Sequence, residues 1–449
     1  MLPPDKLDER LLGPSDAYDE LQTLSDPGSL LSDLSHLAQP YSPPSHRLSM
    51  SPGSAQSEAP GLSFVAASLS LVKVSVGAGA MALPWATMQG GMASAPCLVL
   101  LALWNAYTAW LLLDCAPSGS FSDVTRLALG RPGVAALESS LLVVLMGVCI
   151  SFQLQAATLL SSMLPIVPYP CCALLTGIAL WPLLLQRTFH GVALLSAAAL
   201  LALALGLAAV ALYGIEAYGE PMLPARLKQW PSAPAFADFI GVAAFSFGYQ
   251  VIVLPVRSAM RAPARAPAAL AAASILVTLI YLAIGVGGAA LFWRAGVKQL
   301  ILLNIGPAAP VAKLVYGCSA LVSILSVPLV FLPLVAIVKP LLLPPSASPL
   351  SDAAARTALL LLSTAAAASI RQFGLLAGFI GCLTGFYAQL LPPLVHLRLV
   401  AVREPNREKR IAKVGLDALL VVAGLVASVW PALTIAAQLA SGGMGRADG

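Results

Sequence analysis

A short stretch near the start of the first long apolar run holds residues that leave peptide groups bare. In "LVKVSVGAGAMALPWATMQGG", residues 71–91, Gly77 and Gly79 stand two apart, Pro84 follows, and Lys73 puts a cation inside the run. Each glycine lowers helix stability by roughly 1 kcal/mol relative to alanine. Pro84 lacks an N–H and clashes with the carbonyl of Ala80. The helix is therefore expected to break between Ser75 and Ala80. In lipid, such a gap is tolerated only where protein or a water-filled cavity surrounds it. Freed N–H groups carry the positive end of a helix dipole and suit a carboxylate, whereas freed carbonyls suit a cation or an ammonium. The chemistry on offer is the gripping of a zwitterion by backbone. For one segment alone, close helix packing at small residues explains the composition equally well.

A second segment repeats the pattern. In "GVAAFSFGYQVIVLPVRSAM", residues 241–260, Gly248 precedes Leu254-Pro255 by the interval that separates Gly77 from Leu83-Pro84, and both pairs are offset by 171 residues. Paired, glycine- and proline-interrupted segments in two halves of a chain point to the binding site of a secondary transporter. The substrate carboxylate is expected at the N–H groups of Gly77, Ala78, Gly79 and Ala80, and the ammonium at carbonyls near Ser75, Phe245 and Ser246. Val74, Val76, Phe247 and Val251 would supply an apolar lining suited to neutral amino acids, and Tyr249 and Gln250 flank the second gap. Gating or substrate contact and plain core packing are both open for those last two.

The elements that must position these residues are apolar throughout. Hydrophobic residues make up 58% of the 449 and charged residues 10%, against about 25% charged in a soluble domain, and the mean hydropathy is +0.85. This is the composition of an all-α integral membrane protein. A spanning helix needs about 20 mostly apolar residues, and eleven candidates occur: 65–89, 93–113, 135–162, 169–186, 190–213, 238–258, 268–292, 312–342, 355–370, 374–400 and 414–440. The two broken segments are then the first and sixth, so five spans separate matching positions and the second unit is inverted. The expected architecture is two inverted five-helix repeats, at about 61–214 and 237–400, plus an extra helix at about 414–440.

Placing the N-terminus in the cytosol puts 14 basic residues in inner loops and 7 outside, as the positive-inside bias requires. No N-x-[ST] sequon occurs at Asn105, Asn304 or Asn406. Residues 1–60 hold nine of the twenty acidic groups and are rich in Ser and Pro without periodicity, so this tail is expected to be disordered. It lacks the basic and apolar regions of a secretory signal peptide. Tyr18-Asp19-Glu20-Leu21 and Leu11-Leu12 have the form of sorting signals, which adaptor proteins could read, so an endolysosomal or vacuolar membrane stands beside the plasma membrane as a destination. The seven cysteines fall mostly in apolar runs and imply no disulfide framework. The net charge of +5 comes from basic residues beside apolar spans, not from one patch with aromatics, so no nucleic acid is implied. No cofactor or metal site is implied either.

The first broken segment resembles the amino acid/auxin permease family, whose first helix reads like L-x-K-x-x-x-G-x-G-x-x-x-L-P; Leu71, Lys73, Gly77, Gly79, Leu83 and Pro84 match. The second resembles F-x-F-x-G-x-x-x-x-L-P-x-E-x-x-M less closely: Phe245, Phe247, Leu254, Pro255 and Met260 agree, Gly248 stands one place early, and Arg257 replaces the acidic residue. "SILSVPLVFLP", residues 323–333, looks like the family's eighth helix, with Ser326 at the hydroxyl position that helps hold sodium in sodium-coupled members. The resemblance covers nearly all of the chain from residue 61. It implies a pair of inverted five-helix units plus an eleventh helix, and amino acid import or export coupled to H+ or Na+.

Several single residues carry two readings. Lys73 could pair with freed carbonyls or stand where a sodium ion would sit, or it could snorkel to the interface. Ser323 and Ser326 share one helix face and could coordinate sodium, or each could bond the carbonyl one turn back. Gln153 and Gln155 are two apart, so only one of them faces a pathway. Glu138, Asp238 and Asp417 lie near span ends, where solvated positions are the default, and His190 and His396 sit at expected cytosolic ends, so no buried proton carrier stands out. An enzyme is disfavoured: Ser319 fits a loose protease motif but has no histidine at membrane depth. A sensor on the same scaffold, binding an amino acid with little flux, is the alternative to a transporter.

Overall fold

The computed structural model describes residues 61–115, 119–185, 192–344 and 348–440. The expectations for the tail, residues 1–60, and for Arg187 and His190 lie outside the described residues. The fold is all-helical, and among the described residues the one β-type contact is an isolated parallel bridge between Leu62 and Met260. Among the described residues eight stretches are long and apolar enough to cross a membrane, and Phe64–Ser75 and Tyr169–Leu185 are apolar but shorter.

Among the described residues fifteen α-helices follow in order: α1 Phe64–Ser75, α2 Ala78–Gly90, α3 Ser94–Cys115, α4 Phe121–Met163, α5 Tyr169–Leu185, α6 Val192–Tyr218, α7 Ala233–Ser246, α8 Gln250–Ala259, α9 Ala266–Leu282, α10 Gly288–Phe292, α11 Pro310–Leu342, α12 Pro349–Ser369, α13 Phe373–Gly385, α14 Leu391–Arg403 and α15 Arg407–Ala440. Single π-turns, Ala283–Gly287 and Phe386–Leu390, join α9 to α10 and α13 to α14. Caps set the ends. Ser63 accepts from the Ala66 N–H at α1, and Ser120 with Asp123 forms a capping box at α4. Pro310 and Pro349 occupy first turns, where the missing N–H costs nothing.

The sequence boundaries shift where polar residues continue a helix past its apolar core. The expected span 135–162 is the second part of α4, which begins at Phe121 and bends at Gly130, whose φ of 66° needs glycine. The expected span 355–370 starts six residues earlier, at Pro349, because Asp352 pairs with Arg356 and Lys339 and carries the helix outward.

Packing relies on small residues, since apolar burial alone does not drive helix association in lipid. A Cβ on Gly381 would lie 1.7 Å from the Gly241 carbonyl, and one on Gly241 would lie 2.5 Å from the Gly378 carbonyl. The backbones of α7 and α13 therefore touch. Gly285 faces Thr87 and Gly288 faces Pro84, which seats α2 against the π-turn after α9. In this way α2 and α7 are held at the centre.

Candidate functional site

Both marked segments are interrupted. α1 ends at Ser75; Val76 (φ −81°, ψ 93°) and Gly77 (φ −144°, ψ −144°) are non-helical, and α2 starts at Ala78. α7 ends at Ser246; Phe247 (φ −108°, ψ 123°) leaves the helix, and α8 starts at Gln250. The first gap falls inside the expected window. The opening N–H groups of α2 have no intrahelical acceptor by helix geometry, apart from Ala80, which donates to the Gly77 carbonyl at 3.1 Å.

The two gaps meet at one hydroxyl. Tyr281, at the end of α9 and fully buried, points its hydroxyl at the carbonyls of Ser75 and Ser246, at 2.5 Å from each. These are the last residues of the two helices that break. Its ring packs edge-on against Phe247, with centroids 5.1 Å apart. A phenol has one hydrogen, so it can donate to only one of these carbonyls at a time. The serine side chains take no part, because Ser75 Oγ donates to the Leu71 carbonyl and Ser246 Oγ to the Val242 carbonyl.

The glycines divide the work. A Cβ on Gly77 would meet only the Phe152 ring, at 3.9 Å, so this position opens on the gap. A Cβ on Gly79 would come within 2.6 Å of Ser246 Oγ and 3.1 Å of both Phe245 and the Ser246 Cα. Gly79 thus serves the close-packing role, which brings α2 against α7. Gly248 faces the hydroxyl of Tyr387, 3.5 Å from a Cβ placed there, and Tyr387 sits in the second π-turn. The second gap thus lies against a π-turn, a distortion frequent at functional sites.

Other residues named from sequence lie apart from this point. Val74 is 48% exposed and off the buried stripe of α1 (Ala67, Leu71, Val72, Ser75), so it does not line the gap beside Val76; helical rotation turns it outward. Lys73 is part-buried in the last turn of α1, with no hydrogen-bond partner among the described residues, at the end where the helix dipole favours a cation. Tyr249 turns to α9, its hydroxyl 3.2 Å from Ser274 Oγ. Gln250 ties α8 to α3, donating to Asn105 Oδ1 at 2.9 Å and Thr108 Oγ1 at 3.3 Å, while its own Oε1 is buried without a partner. Ser323 and Ser326 donate to the Ser319 and Val322 carbonyls one turn back, and α11 packs mainly on α4 and α6, so these hydroxyls are not joined to the broken segments. Gln153 is engaged with Ser363 and Thr364 of α12, at 2.7 and 2.8 Å. Gln155 is buried with Oε1 unpartnered, one turn from Phe152.

Three titratable residues correct the sequence expectation. Asp238 and Asp417 are 9% and 1% exposed, not solvated, and His396 is 3% exposed. Neighbouring helices cover these span ends. Arg257, standing where the family motif has an acid, donates to the Leu113 carbonyl at 2.6 Å and so caps α3.

The sequence model of the family described as "Transmembrane amino acid transporter protein" matches residues 60–436, nearly all of the described chain. The chain belongs to this family. Its members are transporters, not enzymes, and this one is a multi-pass membrane protein. It is 23% identical to the amino acid transporter AVT1D of Arabidopsis thaliana over 84% of this chain and 70% of that protein. It is 25% identical to AVT1H of the same plant over 75% of this chain and 82% of that one. The vacuolar amino acid transporter 3 of Saccharomyces cerevisiae is 27% identical over 81% of this chain, which spans 55% of the yeast protein. Tyr281, Tyr387 and Phe152 were not singled out from sequence in this transporter. One signal was available for Tyr281: a phenol inside the apolar run 268–292 must find a hydrogen-bond partner.

Proposed function

We propose that this protein is a secondary active transporter of neutral amino acids, working by alternating access through eleven spans arranged as two inverted five-helix repeats and an eleventh helix. On this reading α1 with α2 forms the broken first span, and α7 with α8 the broken sixth. The N-terminus lies in the cytosol, on a vacuolar or endolysosomal membrane or the plasma membrane; the name of the yeast relative favours the vacuole. Transport is coupled to H+ or Na+. The residues proposed to hold the substrate are Ser75, Val76, Gly77, Ala78, Gly79, Ala80, Phe245, Ser246 and Phe247, with Tyr281 added, and Lys73 remains the candidate for standing in place of an ion.

One observation supports this most directly: the ends of two helices, a half-molecule apart, converge on the hydroxyl of Tyr281. Two carbonyls sharing one hydrogen make a place for a group with more donors, and an ammonium has three. In the proposed cycle the substrate ammonium displaces the Tyr281 hydroxyl and satisfies both carbonyls, while its carboxylate meets the N–H groups that open α2. The flanks of the gap, Val76, Phe152 and Phe247, are apolar and favour an uncharged side chain.

On this reading the cytosolic side is closed, which contacts at the end of α8 support. The strand-like segment before α1 is pinned to the end of α8: the Leu62 N–H donates to the Ala259 carbonyl at 2.8 Å, the Arg261 N–H to the Leu62 carbonyl at 3.0 Å, and Arg261 Nε to the Gly61 carbonyl at 2.6 Å. The entry to one broken helix thus holds the exit of the other. Uptake into proteoliposomes across an amino acid panel, with sodium and pH gradients imposed separately, tests the assignment. Accumulation of a neutral amino acid driven by one gradient is expected; binding without flux under both gradients would refute the transporter in favour of a sensor.

A further inference from the structure

One buried charged cluster has no part in the site above. His396 on α14 places Nδ1 2.7 Å from Asp417 Oδ2 on α15 and Nε2 3.2 Å from Asp114 Oδ2 at the end of α3. The two acids differ in exposure: the side chain of Asp417 is 1% exposed and that of Asp114 46%. The second carboxylate oxygen of Asp417 is buried with no hydrogen-bond partner. A cleft of about 100 Å³, lined by Asp114, Cys115, Arg403, Glu404 and Lys413, opens beside the ring and gives it a route to water.

The number of ring hydrogens decides what this cluster can do. Neutral imidazole has one N–H and the protonated ring has two. Asp417 is buried with one oxygen already unsatisfied, so the Nδ1 hydrogen belongs to it, because a buried carboxylate without a donor is costly. Nε2 of the neutral ring then turns a lone pair on the Asp114 carboxylate. Asp114, half exposed, can rotate into water. Only a second proton, on Nε2, converts this repulsion into a charge-assisted hydrogen bond.

We propose that His396 is a proton-binding site whose proton on Nε2 latches α3 to α14 at the cytosolic end, and whose deprotonation releases Asp114 and leaves the end of α3 to the Arg403 bond alone among the described hydrogen bonds between the two ends. As regulation of transport, the latch rests on the transporter reading above. The path to the site is short. α3 holds α8, the second half of the broken sixth segment, at two levels: through Gln250 with Asn105 and Thr108, and through Arg257 with the Leu113 carbonyl. Arg403 on α14 also donates to the Cys115 carbonyl, at 2.5 Å. Releasing Asp114 therefore loosens the end to which α8 is anchored.

The surrounding charges leave His396 as the group that changes. α3 presents Asp114, Cys115 and Tyr107, α15 presents Asp417 and Lys413, and α14 itself carries Arg403 and leads to Glu404. The Lys413 amino group, 2.8 Å from Glu404, holds that carboxyl below the ordinary carboxylate range, so Glu404 stays ionised. α4 also packs on α14 and carries Asp123, Arg126, Arg131 and Glu138, none of them hydrogen-bonded to the ring among the described contacts.

Hydrogen exchange of the full chain in nanodiscs, corrected for intrinsic rates, tests this across residues 107–115 at pH 5.5 and pH 8.0. Exchange is expected to be roughly tenfold faster at pH 8.0, the loss of one charge-assisted hydrogen bond. Asp114 is half exposed, so its variants should fold. Asp114→Ala should exchange fast at both pH values. Asp114→Asn, whose amide can donate to a neutral Nε2, should exchange slowly at both. Equal exchange of the wild type at the two pH values, or an unchanged pH difference in Asp114→Ala, overturns the latch. Substrate counterflow at fixed pH separates the two readings: counterflow without the exchange difference removes the latch alone, and the exchange difference without counterflow removes the transporter reading and leaves the proton site standing.

Discussion

Replacing Tyr281 with phenylalanine removes one oxygen and leaves the ring, its packing on Phe247 and the helix around it in place. In the substrate-free protein, the Ser75 and Ser246 carbonyls then lose their shared donor in a fully buried setting. Leaving a buried acceptor unsatisfied costs about 1–3 kcal/mol, so the empty variant should unfold at lower temperature. If the substrate ammonium displaces the hydroxyl, the bound state never contained that hydrogen bond and is unaffected by its loss. Binding to the wild type must give up that hydrogen bond and binding to Tyr281→Phe need not, so the same 1–3 kcal/mol, roughly, reappears as affinity. The variant should therefore bind its amino acid about fivefold to a hundredfold more tightly while being less stable when empty. Thermal unfolding in nanodiscs with and without amino acid, together with a direct binding isotherm, measures both quantities. A folded Tyr281→Phe protein that binds tenfold more weakly would refute the displacement argument, because the hydroxyl would then be holding the substrate or its carbonyls instead of occupying their place.

Other predictions follow from the same contacts. Gly77→Ala, whose new methyl meets only Phe152 at 3.9 Å, should fold like the wild type, whereas Gly79→Ala, with Ser246 Oγ at 2.6 Å and the Ser246 Cα at 3.1 Å, should lose about 1–3 kcal/mol of stability by overpacking; size-exclusion profiles and unfolding temperatures compare them. Gln153→Leu strips partners from Ser363 and Thr364 and should cost about 1–3 kcal/mol while leaving the substrate KM of the folded fraction unchanged. Gln155→Leu gives up no bond at its unpartnered Oε1 and should leave stability nearly unchanged while raising KM severalfold; a shift in stability with KM constant would place Gln155 in the packing and away from the gap.

The sequence was most legible where backbone chemistry is dictated by residue type. Gly77, echoed by Gly248, marked both interruptions, because a residue without a side chain weakens a helix locally; Pro84 and Pro255 did not stop a helix, and α2 and α8 run on through them, their missing N–H falling within the helix. It was least legible where a side chain's partner comes from a distant helix. Asp417 and His396 are 21 residues apart in the chain, and Asp114 is 282 from His396; position near a span end says solvated, and only the packing of α3, α14 and α15 makes them buried. Ser323 and Ser326 show the same limit: their spacing put them on one helix face, and it took the structure to show that both hydroxyls donate to carbonyls of their own helix, which leaves their oxygen lone pairs unassigned. Tyr281 lies between these cases. Its burial in an apolar run demanded a partner, yet nothing local said that the partners would be the two carbonyls at the ends of the broken helices. Gaps in backbone are marked locally, by glycine, whereas the group that occupies the bare carbonyls between them must come from a third element, and α9 supplies it here through Tyr281.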